Sequence, residues 1–266
     1  MIFLESRPLI TGKELMTEDE QLMQKRFLDL SRQADYKGIV TFSDFLGLNE
    51  QNIFRQTEGM LSSGFQMSGG YEYAERQMVA FCPDALYYEW NYPFTCLKIE
   101  PAYPKFSDTL GHRDILGAVM NLGIERSKIG DILIRDNTAY LFCMDSVRSY
   151  ILEQLEKIKH TVVKITETDA GQNPDIRPEF EHLSGIITSN RLDALIACIC
   201  KLSRSAAASL ITGGKVCING RETLHNTYVC RAGDILSVRS YGKYIFDAVS
   251  GETKKGRMKI DYRKYK

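Results

Sequence analysis

No apolar run in the sequence approaches the roughly 20 residues that a membrane-spanning helix requires, which argues against a transmembrane protein. The start, MIFLESRPLI, lacks the charged-then-apolar layout of a secretory leader. Cysteine pairing is missing too. The seven cysteines (Cys82, Cys96, Cys143, Cys198, Cys200, Cys217 and Cys230) are odd in number, scattered and never C-x-x-C, so a disulfide framework is not expected. Cys198 and Cys200, the nearest pair, are spaced to point to different faces of a helix, which disfavours a zinc site. Repeats and low-complexity tracts are absent. Net charge is absent as well, with 34 basic against 34 acidic residues, and on its face this excludes a polyanionic partner. What is present is ordinary globular material: 266 residues, 44% apolar and 26% charged, enough for two or three modules with real cores. A soluble cytoplasmic monomer with reduced thiols, without metal, cofactor or membrane, is the expectation.

The zero charge is a cancellation. Residues 182–266 carry 15 Lys and Arg against 6 Asp and Glu, a net of +9, leaving 19 against 28, a net of −9, for residues 1–181. Such asymmetry points to a nucleic acid or an anionic surface as the partner of the C-terminal part.

Thr17 and Glu20 form a capping-box pair ahead of Met23, Phe27, Leu30 and Ala34, a helical stripe that stops at Lys37-Gly38. A second helical stretch is read from Ser43 through Phe54, making residues 1–74 a small, mostly helical module. From 75 to 166 the pattern becomes β-β-α-β-β-α-β: QMVAFCP and FTCLKIEP as strands, a helix from Asp114 to Leu122, a hairpin turning at Asp136-Asn137, a helix capped by Asp145, and the strand TVVKI. That order is comparable in layout to RRM-like modules, although their aromatic signature is missing. Residues 167–182, with two prolines and no periodicity, read as a linker.

In the basic part, Leu192, Leu195, Ile196, Ile199 and Leu202 form one helical stripe. Ser203 is placed to cap a second helix with Ala207, Leu210 and Ile211 inward, Gly213-Gly214 stops it, and Asn219-Gly220 offers a hairpin turn. RLD at 191–193, LSRS at 202–205, LITGGKVCING at 210–220 and AGDILSVRSYGKY at 232–244 together resemble the S4-type RNA-binding domain, here spanning 183–246. Residues 247–266 then read as a basic tail. Arg191, Lys201, Arg204, Lys215 and Arg221 lie on or beside the polar faces of the helices and the following turn, where phosphates are met, and the helix start at Ser203 supplies free N–H groups. Asp193 reads as a structural partner for a nearby arginine, and Asn219 primarily as a turn former.

With GGYEYAERQMVAFCP, LGHRDILGAVMNLGIERSKIGDILI and the GETKKGR tail, the resemblance extends over nearly the whole chain to the YlmH-type family of S4-domain proteins encoded beside bacterial cell-division genes. It implies an α+β multidomain fold and a cytoplasmic factor that binds the large ribosomal subunit and tRNA, associated with rescue of stalled nascent-chain complexes. The contacts to RNA (rRNA, tRNA) implied by the family pattern and the local chemistry are Arg191, Lys201, Ser203, Arg204, Ser205, Lys215, Asn219, Arg221, Arg239, Lys243, Lys254, Lys255 and Arg257. Ala206 departs from the family, which commonly has a basic residue there. Because Arg191 and Arg204 lie off the apolar stripe, their removal is expected to spare folding.

An enzyme is not expected. His112-Arg113-Asp114 resembles a kinase catalytic loop, yet position 119 is Val where Asn is needed, and His112 and Arg113 read instead as helix caps. A methyltransferase needs a glycine-rich loop between strand and helix, and no such arrangement precedes residue 181. RLDALIAC superficially resembles a pseudouridine-synthase motif but lies inside the first S4 helix. The alternatives to a binding factor are an S4-containing RNA-modifying enzyme and a cell-division scaffold.

Overall fold

The computed structural model describes residues 17–265 apart from 73, 171, 172, 174, 175, 177 and 178. The first 16 residues of the expected helical module and much of the expected linker lie outside that set. The chain divides into two units, residues 1–173 and 174–266.

The first unit opens with α1 (Glu18–Lys37), held by the capping box read from the sequence: Thr17 N–H donates to Glu20 Oε2 at 3.0 Å and Glu20 N–H to Thr17 Oγ1 at 3.3 Å. Gly38, at φ 63°, closes the helix in the left-handed conformation. The stretch from Ser43 is not one helix. It is a strand, β1 (Thr41–Leu46), followed by α2 (Leu48–Thr57), with Gly47 between them. Thr41 to Phe45 alternates inward and outward, the period of a half-buried strand, and the run of apolar residues behind it hid the break. β2 (Gly64–Ser68) and β3 (Gln77–Cys82) complete a sheet ordered β1-β3-β2. A boundary at residue 75 therefore sends β3, the central strand of this sheet, to the wrong module.

The remaining strands form a second antiparallel sheet. β4 (Phe94–Pro101), α3 (His112–Asn121), β5 (Ile129–Arg135), β6 (Thr138–Met144), α4 (Asp145–Gln154), β7 (Lys157–Ile158) and β8 (Thr161–Thr168) give the sheet order β5-β6-β4-β8-β7. Asp136 and Asn137, both left-handed at φ 44° and 64°, make the tight turn between β5 and β6. Leu97, Ile99, Leu141, Ile115, Val119 and Ile151 fill the core between this sheet and its helices. Asp145 is the first residue of α4, and the capping position is Met144.

The second unit contains β9 (Phe180–Ile187), α5 (Leu192–Ile199), α6 (Arg204–Thr212), β10 (Val216–Ile218), β11 (Arg221–Glu222), β12 (Ile235–Val238), β13 (Gly242–Glu252) and β14 (Met258–Tyr265). Its sheet runs β11-β10-β12-β13-β14-β9, and α5 and α6, set at 112° to each other, pack their apolar stripes into its core. The expected tail is strand. Ile260 and Tyr262 are buried, Met258 packs against the same core, and β14 pairs β13 on one side and β9 on the other. The alternation M-K-I-D-Y-R is a strand period whose polar half happens to be basic. For the same reason residues 180–182 belong to β9 and not to a linker.

Among the described residues no helix is long and apolar enough to cross a membrane, and no three His, Cys, Asp or Glu side chains gather as metal ligands.

Candidate nucleic-acid interface

The centre of the basic unit is one carboxylate. Asp193, in the first turn of α5, is 6% exposed. It accepts hydrogen bonds from Arg191 Nε and Nη2 at 3.2 Å each, from Arg204 Nη2 at 2.6 Å, and from the Ala194 N–H at 2.9 Å. Burial by itself raises the pKa of this acid, but the hydrogen bonds from Arg204 and Arg191, with their charges, outweigh burial and hold it below the ordinary 3.8. Arg204 also donates to Thr188 Oγ1 at 3.2 Å, at the end of β9. The two arginine side chains remain 42% and 47% exposed. Each guanidinium has five N–H donors, so both keep donors for an anion while Asp193 fixes their aim.

Beside them begins α6. Ser203 Oγ accepts from Ala206 N–H at 3.1 Å as the helix cap and lies 3.0 Å from Ser205 Oγ. Lys201, exposed and left-handed at φ 54°, makes the corner between the helices. The hairpin tip joining β13 to β14 comes to the same end of the sheet, because Met258 pairs Ile187, the residue before Thr188. Lys254, Lys255 and Arg257 on that tip are all exposed, and the turn is closed by Thr253 N–H donating to Arg257 O at 2.7 Å. Arg191, Arg204, both serines and three tip cations thus share one region.

A second group lies apart from the tip. Lys215, Arg239 and Lys243 rim an open hollow of about 560 Å³ floored by Cys217, Ser237 and Val238, and Arg239 N–H donates to Lys215 O at 2.9 Å. Lys243 is the second residue of β13 and the basic tip follows the end of that strand, nine residues further on, a separation of about 30 Å. Arg221, in β11, is half-buried.

Asn219 belongs to neither group. Its Nδ2 donates to Asp234 Oδ1 at 3.0 Å and its Oδ1 accepts from Ile235 N–H at 2.9 Å, so its amide is spent on fixing the turn it makes with Gly220. The expectation that removing Arg191 and Arg204 spares folding needs correction, because it would leave the buried Asp193 without its charged partners. Thr188 carries no sequence signal for its contact with Arg204, since its place is set by the β9–β14 register.

In the first unit, the tyrosine-, arginine- and glycine-bearing motifs upstream converge on one joint. Asp131 accepts from Tyr71 OH at 2.7 Å, Glu75 N–H at 2.6 Å and Arg76 N–H at 3.0 Å, and its pKa is raised, chiefly by burial. Arg76 spends its guanidinium on Ile129 O at 2.9 Å and Phe45 O at 2.7 Å, tying the two sheets together. The backbone of Gly70 lies against the Phe142 ring, and Tyr71 stacks on that ring with centroids 5.3 Å apart. Tyr140 and Phe142, on the sheet face away from the helices, are 2% and 1% exposed. His112 is exposed, its pKa lowered by partial burial and then by the Arg126 charge. The N-terminus of α3 is capped by Asp114, which accepts from Gly111 N–H at 2.8 Å, and not by His112 or Arg113.

Residues 90–172, the range that holds β4 to β8, match the family model described as "Putative RNA-binding domain in YlmH". The chain therefore falls in the class of proteins that carry such a domain, here joined to a separate basic unit. It is also 26% identical over 249 residues to the "Ribosome-associated protein quality control protein P2" of Bacillus subtilis (strain 168), a match covering 94% of this chain and 96% of that one. Among solved structures it is similar to the cell division protein ylmH from Streptococcus pneumoniae, with 20% identity and a TM-score of 0.49 over 61% of this chain and 98% of that one. By the model match and the relative, the chain is similar to YlmH-type proteins.

Proposed function

We propose that this chain is a non-catalytic RNA-binding factor that binds the large ribosomal subunit and tRNA, in the cytoplasm and as a monomer, and serves the rescue of stalled nascent-chain complexes. The observation that carries the reading is the Asp193 clamp, which holds two half-exposed arginines beside the start of α6. A pair of forked guanidiniums next to free helix N–H groups matches a phosphate backbone in charge and hydrogen-bonding geometry. The α5-α6-β10 order with its LSRS and GGKVCING segments supports an S4-type assignment for the second unit. The β-α-β-β-α-β-β order of residues 94–168, in which the two-residue β7 is an addition at the sheet edge and β5-β6-β4-β8 are adjacent, supports an RRM-like assignment for residues matched by the family model. The relative's name, ribosome-associated quality control, supports the ribosome as partner.

Co-sedimentation of the pure chain with separated ribosomal subunits tests the reading. Binding to the large subunit, weakening with salt by about 0.9 logarithmic units per phosphate contact, is the expected result; binding only to the small subunit, or a flat salt response, contradicts it. Mass spectrometry of rRNA and tRNA incubated with the protein and a methyl donor is expected to show no new modification. A modified base that depends on the protein would make it an enzyme.

A further inference from the structure

In an RRM-like sheet the exposed face is where bases would stack, yet the aromatic residues on that face here are covered: Tyr140 and Phe142 are buried, the latter under Gly70 and Tyr71 of the same unit. Exposed rings occur instead at one end of the sheet, in the loop between β4 and α3. Tyr103 is 70% exposed and Phe106 84%. They flank a single 3-10 turn, Pro104–Phe106, closed by Phe106 N–H donating to Tyr103 O at 3.1 Å. Tyr103 and Phe106 are thus the two ends of one hydrogen-bonded turn. The Lys105 ammonium sits 5.8 Å from the Phe106 ring centroid.

The loop is also rigidly built. Asn137 reaches over from the β5–β6 turn, its Nδ2 donating to Ser107 Oγ at 3.2 Å and Asp108 O at 3.0 Å while its Oδ1 accepts from Leu110 N–H at 2.6 Å. On the other side Asp108 N–H donates to the buried Thr161 Oγ1 at 2.8 Å, and Ala102 N–H to Val162 O at 2.9 Å. The neighbouring segment brings Lys157 and Lys164, and the acids around the loop are occupied, Glu100 by Lys98, Asp108 by Thr161 and the His160 N–H, and Asp114 by Lys159. Exposed rings cost solvation and gain nothing for the core. Two of them fixed beside lysines have the composition of a surface on which unpaired bases stack while the backbone meets cations.

We propose that the β4–α3 loop is a stacking platform for single-stranded RNA, with Tyr103 and Phe106 as the stacking rings and Lys105 as the phosphate contact. The proposal rests on the RNA-binding reading and adds to it a second, unpaired stretch of RNA engaged by the first unit.

The test uses the full chain, a short fluorescein-labelled oligouridine and a fluorescein-labelled RNA hairpin, read by anisotropy. Tyr103→Ala with Phe106→Ala is expected to weaken oligouridine binding by roughly tenfold or more, to leave hairpin binding and the thermal melt unchanged, and Tyr103→Phe with Phe106→Tyr to restore the affinity. Photo-crosslinking of the unmutated chain to oligouridine, with peptide mapping, is expected to mark the segment holding residues 103–106. Oligouridine binding unaffected by the alanine pair, or crosslinks that map only to the second unit, overturns the platform and leaves the ribosomal reading standing. Failure of the unmutated chain to bind either RNA overturns both.

Discussion

The two units each organise arginine around a partly or fully buried aspartate, and they do so to opposite ends. Around Asp131 the donors are a tyrosine hydroxyl and two backbone N–H groups, while Arg76 turns its guanidinium inward onto carbonyls of β1 and of the residue that opens β5. Arg76 Nε and Nη2 are spent on the chain's own carbonyls, and the result is a bolt between two sheets. Around Asp193 the donors are the guanidiniums themselves, half-exposed. The carboxylate sets their direction and leaves their outer N–H groups to solvent. Charge follows the same division: residues 1–173 carry 18 basic against 25 acidic residues, net −7, and residues 174–266 carry 16 against 9, net +7. An arginine is a structural tie or a ligand contact according to whether the fold leaves it spare donors.

The largest effect expected from this contrast is on the bolt. Arg76→Ala strands the Ile129 and Phe45 carbonyls and removes a partly buried cation, and chemical denaturation should show a loss of about 3 kcal/mol or more. RNA affinity per folded molecule should not change. An unchanged melt would show that the joint does not depend on Arg76.

Next is the clamp. Arg191→Ala with Arg204→Ala should cost about 1–3 kcal/mol, discounted because both side chains are near half-exposed, and should abolish phosphate binding together with it. Arg204→Lys, which keeps the charge and loses the fork, should weaken binding with a smaller change in the melt.

Removing Lys254, Lys255 and Arg257 together by alanine substitution should leave the melt alone, since all three are exposed. The slope of log K against log salt should become shallower by up to about 2.7. An unaltered slope would place the RNA away from the β13–β14 tip.

The smallest effect concerns acid. The pKa of Asp193 is lowered in the folded protein, so its ionised form contributes stability above the unfolded value, and this is lost as pH falls below about 4 through the folded value. Asp131 has the opposite sign: its raised folded pKa means that ionisation works against folding, and its contribution falls as pH rises above the unfolded value. Denaturation curves of Asp193→Asn between neutral and acid pH should therefore lose part of the acid sensitivity of the unmutated chain. A pH dependence identical to that of the unmutated chain would remove Asp193 from the account.

Much of this was legible in residue order. Thr17 with Glu20, the Asp136-Asn137 turn, the stripe of α5 and the Ser203 cap are local features, decided by side chains within a turn or two, and they stand where the pattern puts them. Asp193 as an arginine partner was also readable, since Arg191 is two residues away. What escaped depends on register across distance. Nothing local distinguishes a basic tail from β14, whose strand character is fixed by Ile260 and Tyr262 packing into a core assembled from four other strands and two helices. The sheet membership of β3 is likewise settled by its partners β1 and β2. Arg76 and Asp131, 55 residues apart, and Thr188 beneath Arg204 belong to the same category. Asn219 shows the reverse case, a family position whose polarity is used up at home.

The central claim is that Asp193 exists to aim Arg191 and Arg204 at RNA, and it separates cleanly from folding in one variant. Asp193→Asn combined with Arg191→Ala and Arg204→Ala removes the buried charge along with its partners, so the thermal melt should return close to that of the unmutated chain. Co-sedimentation of this triple variant with large ribosomal subunits is the most direct measurement. The account predicts a normal melt with binding lost, and retained binding by the well-folded triple variant would contradict it.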